Sequence, residues 1–125
     1  MNGSGINAKS LLNREVVALR DGSYFGKVQS IGINTGTKMV TGLFIKPKGI
    51  LSGKVFIPFS GIQSFGDYGV TIKEDFDIDN PIKTMEEKEL LEMPVITVNG
   101  NLLGFVDNFT FDKTDGTIVE YILSE

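Results

Sequence analysis

Asp21-Gly22-Ser23-Tyr24-Phe25-Gly26-Lys27-Val28-Gln29-Ser30-Ile31-Gly32-Ile33-Asn34 is the stretch on which the reading of the chain turns. Asp-Gly supplies a hairpin turn, because glycine accepts positive φ without steric cost. A strand is expected from about Phe25 to Asn34, and its apolar phase is not constant. Val28 sets one parity, while Ile31 and Ile33 lie on the other. A strand alternates with period two, so the phase must slip near Gln29-Ser30, as it does at a β-bulge. At an offset of 78 residues the pattern returns as Asn99-Gly100, Gly104, Val106, Phe109 and Phe111, with the slip in the same place. Val17 falls on Val95 at this offset, and a one-residue insertion in the next turn brings Met39-Val40 onto Ile118-Val119.

Working outward, strands are expected at 16–19, from Met39 to Ile45, from Lys54 to Phe59 and from Gly69 to Lys73. Turns at Thr35-Gly36-Thr37 and from Pro47 to Gly53 separate them, and Ser60 to Tyr68 reads as irregular, with one helical turn around Ile62. Residues 74–93 read as an acidic linker containing a short helix, with Thr84 and Glu87 at capping-box spacing. Strands resume at Pro94. The fold class is therefore all-β: a small barrel over residues 11–73, the linker 74–93, and a partial second copy of three strands over 94–125. Three strands leave an open edge and half a core, so this part is expected to pack on the complete barrel or to pair with a second chain as a homodimer. An ending imposed by truncation of a longer chain would give the same pattern. The strand from Met39 to Ile45 is apolar on both parities, leaving one face for such a contact.

Composition narrows the function. The 125 residues include no Cys and no His, so Ser–His and Cys–His nucleophilic pairs are impossible. No phosphate-binding loop occurs, and the acidic residues gather in the linker; the chain is expected not to be an enzyme and to need no cofactor. No apolar run approaches the length of a membrane span and no signal-like stretch opens the chain, so a cytoplasmic location is expected. Residues 1–73 hold nine Lys/Arg against three Asp/Glu, whereas residues 74–125 hold three against 13, and parts of opposite sign attract within or between chains.

These residues resemble the PRC-barrel domain family. The resemblance is carried by Val17, Asp21-Gly22, Gly26-Lys27-Val28, Thr35-Gly36, Ile57-Pro58-Phe59, Ile62, Gly66-Asp67 and Val70, covering about residues 11–73, with its first half recurring at 91–124. The chain looks most like bacterial two-repeat PRC-barrel proteins. The family is similar to the cytoplasmic domain of the reaction-centre H subunit and to the C-terminal domain of a ribosome maturation factor. The resemblance implies docking onto other macromolecules without chemistry by the barrel, and it transfers no binding residue.

Two candidate sites follow from the residues. The loop around Lys46, Lys48, Ile50, Leu51 and Lys54 is basic with an apolar centre, suited to an acidic protein surface, a phosphate or anionic lipid. Asp75, Asp77, Asp79 and Glu86 occupy positions 1, 3, 5 and 12 of an EF-hand-like loop, but position 6 is Asn80 instead of Gly and the preceding segment reads as strand. The expected function is a protein-binding adaptor or assembly module. The alternatives are an RNA- or ribosome-associated module, disfavoured by the acidic second half, and calcium binding through residues 75–86.

Overall fold

The computed structural model describes residues 5–19, 21–49, 53–73 and 84–124. The elements run β1 (Gly5–Asn7), α1 (Ala8–Leu11), β2 (Glu15–Ala18), β3 (Tyr24–Asn34), β4 (Met39–Pro47), β5 (Val55–Pro58), β6 (Ile62–Phe65), β7 (Gly69–Ile72), β8 (Met85–Glu86), α2 (Glu87–Leu90), β9 (Pro94–Ile96), β10 (Leu102–Asp112) and β11 (Ile118–Ser124). Among the described residues the fold is all-β apart from two one-turn helices and a 3₁₀ turn at Phe59–Gly61. That turn precedes Ile62 instead of surrounding it: Ile62 opens β6, inside the stretch expected to be irregular.

One sheet follows the order β5-β4-β3-β2-β7-β6, with β8 added beside β3. It curls so that the 3₁₀ corner joins its two ends, but β5 and β6 share no ladder among the described residues. The expected barrel is thus open at this seam. A second sheet has the order β1-β10-β11, with β9 also paired to β10. Both sheets enclose one apolar cluster, in which Leu11, Val16, Ile31, Ile33, Leu43, Ile57 and Val70 meet Phe109 and Phe111. Phe65 on β6 meets Phe111 edge to face at 5.5 Å, an aromatic geometry that adds about 0.5–1.5 kcal/mol beyond burial.

The two long hairpins share their irregularities. In β3·β4, Val28 faces Ile45 and Ser30 faces Phe44, then Gly32 faces Gly42 and Ile33 faces Val40. In β10·β11, Val106 faces Leu123 and Asn108 faces Ile122, then Thr110 faces Glu120 and Phe111 faces Ile118. Every pair in the second set lies 78 residues after its counterpart, both register shifts included. The slip at Gln29-Ser30 is a bulge, as the apolar phase requires. Two details of the sequence alignment change. Val40 corresponds to Ile118, so the second turn carries no insertion. In the first hairpin, Val16 faces Gly26 and Val95 faces Gly104, so Val95 corresponds to Val16 and the one-residue difference lies in the first turn.

Short arms cross between the sheets. β1 pairs with β10, setting Ile6 against Phe111, and β8 pairs with β3, setting Met85 against Ile33. Residues 85–90 are therefore structural, although the sequence places them in a linker. Between the sheets, Val40 N–H donates to the Gly116 carbonyl at 2.7 Å and Ile118 N–H to the Lys38 carbonyl at 2.8 Å, flanking the bridge Met39↔Thr117. Both the arms and this bridge map onto each other under the same offsets, 79 residues for the arms and 78 for the hairpins.

Candidate interaction surface

Strand β4 is paired on both edges. Beyond β3 it carries β5, with Gly42 facing Pro58, Leu43 facing Ile57, Phe44 facing Phe56 and Ile45 facing Val55. Leu43, Phe44 and Ile45 are consequently buried, and the Phe44 and Phe56 rings stand 5.0 Å apart. The outer face of this strand, which the sequence left open for a contact, is covered by the molecule itself.

The corresponding residues of β11 are uncovered. Among the described residues no strand pairs with β11 beyond β10, apart from the bridge at Thr117. Tyr121, Ile122 and Leu123 are 37–38 % exposed, against 0 %, 7 % and 0 % for Leu43, Phe44 and Ile45. Val119, Leu103 and Leu102 are exposed as well. The chemistry of β11 is that of a covered strand, while its position is that of an edge. Isolated exposed apolar residues are ordinary, whereas a contiguous apolar patch on an open edge marks an interaction site.

Beside this edge lies a cleft of about 440 Å³, lined by Met85, Leu90, Met93, Val95, Ile96, Val106 and Tyr121 with Thr35 and Pro94. Its walls come from β9, β10 and β11 of the second sheet and from α2, β8 and the turn after β3. Leu90 and Val106 form its buried floor, and Met93, Ile96 and Tyr121 its exposed rim. Two methionines let such a surface adapt to what enters it.

The floor of the cleft is held by polar contacts at α2. Glu86 caps this helix, and its N–H donates to the Glu89 carboxylate at 2.7 Å; the capping box thus starts at Glu86, two residues after the expected Thr84. The Glu86 carboxylate accepts from Ser30 Oγ and Lys54 Nζ, both at 2.6 Å. Partial burial by itself raises the Glu86 carboxyl, but the Lys54 and Ser30 hydrogen bonds and the Lys54 and Lys88 charges together hold it below the usual carboxylate range. Glu87 is buried and accepts from the Ile31 N–H at 3.2 Å. Burial pushes its carboxyl up, the Ile31 bond offsets part of that, and the neighbouring Glu86 charge adds to it. At the corresponding place of the first arm, Asn108 Nδ2 donates to Asn7 Oδ1 at 2.6 Å.

The two sites expected from sequence meet here in an unforeseen way. Lys54, from the basic loop, is tied to Glu86, from the acidic candidate, and lies 4.9 Å over the Phe44 ring. Each is thus engaged by the other within the molecule. Lys46 and Lys48 are exposed. Ile50, Leu51, Asp75, Asp77 and Asp79 lie outside the described residues. Among the described residues no group of three or more acidic, His or Cys side chains is placed to hold a metal ion, and no helix is long and apolar enough to cross a membrane. Sequence reasoning anticipated the open edge but named none of Tyr121, Ile122 and Leu123. The signal was present in their apolar type at positions matching the covered residues of β4.

No curated protein matches the chain significantly. The family model of the PRC-barrel domain matches residues 4–77, more than half of the chain, and takes in β1 to β7. With that match and the curled, glycine-turned sheet that the matched residues form, the chain belongs to the PRC-barrel domain family.

Proposed function

We propose that this PRC-barrel protein is a non-enzymatic adaptor or assembly module of the cytoplasm that binds other protein through β11. In this reading residues 94–124 are a partial second copy of the unit that begins the chain. Among the described residues β11 has no counterpart of the strand that covers β4, and a partner supplies the cover. The observation that carries the reading is the contrast between Leu43, Phe44 and Ile45, all buried, and Tyr121, Ile122 and Leu123, all open. Strand addition to an exposed sheet edge takes affinity from main-chain hydrogen bonds and specificity from alternate side-chain pockets, and the cleft beside Tyr121 is such a pocket. The absence of Cys and His fits a role without nucleophilic chemistry and a reducing compartment.

The test is affinity capture from native cell extract with the full chain, comparing wild type with Tyr121→Asp and Val119→Asp. Both residues are exposed, so the variants are expected to keep their fold, which melting curves check. Protein held by wild type and released by both variants, whether further copies of the chain or another protein, is the expected result. The same set retained by both folded variants would contradict the reading.

A further inference from the structure

The covered edge of β4 is a template for the open edge of β11. It shows which strand direction the edge accepts and which residues come to face each other. β5 runs antiparallel to β4 over Gly42 to Ile45, and the equivalent span of β11 is Glu120 to Leu123. The start of β11 is closed, since Ile118 N–H bonds to Lys38 and Thr117 faces Met39. The free stretch is therefore Glu120–Ser124. A strand that fits must be apolar on the side facing the cleft, and its own outer edge must be unpaired. The other described strands with an unpaired outer edge, β1, β5, β6, β8 and β9, are only two to four residues long, so within the described residues β11 is the long strand that meets both conditions.

We infer that two copies of the chain join antiparallel along β11, with Ile122 at the two-fold axis. This names the partner for the edge proposed above and rests on that reading. The register is self-complementary, as a two-fold contact must be. Tyr121 of each copy faces Leu123 of the other, and these two apolar pairs lie over the clefts. On the opposite face Ile122 meets Ile122. Glu120, the one charged residue of the free stretch, faces Ser124 of the other copy, so no like charges stand directly opposite each other. Directly opposed residues have Cβ atoms about 4.5–5.5 Å apart, close enough for these pairs to interact. The two second sheets then merge into one continuous sheet, which removes both open edges.

The experiment uses the full chain in light scattering at tens of micromolar, together with Ile122→Lys and Ile122→Cys. The wild type is expected at the mass of two chains. Ile122→Lys sets two ammonium groups opposite each other and is expected to weaken the dimer about tenfold or more. Because the chain has no cysteine, Ile122→Cys introduces a single thiol per copy, and a short bis-maleimide is expected to join two chains through it. Lys48→Cys, an exposed position in the turn after β4, is the control expected to stay unlinked. A one-chain mass for wild type would overturn the dimer, as would a two-chain mass that Ile122→Lys leaves unchanged with no link through position 122. Capture that still depends on Tyr121 alongside a one-chain mass would overturn the dimer alone. Capture indifferent to Tyr121 and Val119 would instead overturn the underlying reading.

Discussion

Glu87 is a buried carboxylate, with the Ile31 N–H as the hydrogen-bond partner of its Oε1. Its folded-state carboxyl lies above the ordinary value, so the folded state favours the protonated form. The charged form therefore costs stability at neutral pH, and that cost fades as pH falls through the raised value toward the ordinary one. Glu87→Gln keeps an acceptor for Ile31 and removes the charge. It should raise the melting temperature by a few degrees at pH 7, with the gain vanishing below about pH 4, where the unfolded carboxyl is protonated too. Glu86 behaves oppositely: its depressed carboxyl gives stability above the ordinary value that is lost as pH falls through the depressed one. Melting curves of Glu87→Gln and wild type across pH separate the two, and equal gains at pH 7 and pH 3.5 would refute the assignment to Glu87. Neither role was legible in the sequence. Glu86 and Glu87 stand in a run of acidic residues that reads as solvated, and only the pairing of β8 with β3 turns them inward.

At the scale of elements, the hairpins were legible because their signals are local: Asp-Gly and Asn-Gly turns, period-two alternation and the shared slip of phase. The glycine before each Val is a packing requirement. A Cβ on Gly26 would run into the Lys46 carbonyl, and one on Gly104 would meet the Ser124 carbonyl, the same contact 78 residues on. Gly104 also holds φ near +154°, which disfavours a side chain. Gly26→Ala should therefore push β3 and β4 apart and destabilise the protein by about 1–3 kcal/mol. Gly104→Ala, at an edge hairpin that is free to splay, should cost less. Chemical denaturation measures both, and a Gly26→Ala protein as stable as wild type would show that the strands do not approach as described. What local signals could not show was the exchange of arms. β1 and β8 are two to three residues long, and their pairing spans the chain. Ile6 against Phe111 is decided by the shared core and not by any turn chemistry nearby. The register at the ends of the two hairpins is hidden from the sequence for the same reason. Val17 and Val95 look equivalent in sequence, but the ladder sets Val16 and Val95 opposite the two equivalent glycines.

Taken whole, the described residues form two sheets held by one core, with an arm of each laid on the other and the bridge Met39↔Thr117 between them. Such interlocking argues against independent unfolding of residues 11–73 and 94–124, because both contribute to the core around Phe109 and Phe111. Where the two sheets differ, the difference is cover. β5 lies over β4, and no described strand lies over β11. The consequence is directly measurable by amide hydrogen exchange on Ile122→Lys, the form expected to be a single chain. The account predicts strong protection across Gly42–Ile45 and fast exchange of the outward-facing amides of Glu120–Ser124. In wild-type protein at tens of micromolar the latter should slow. Equal protection of the two stretches in Ile122→Lys would contradict an uncovered β11.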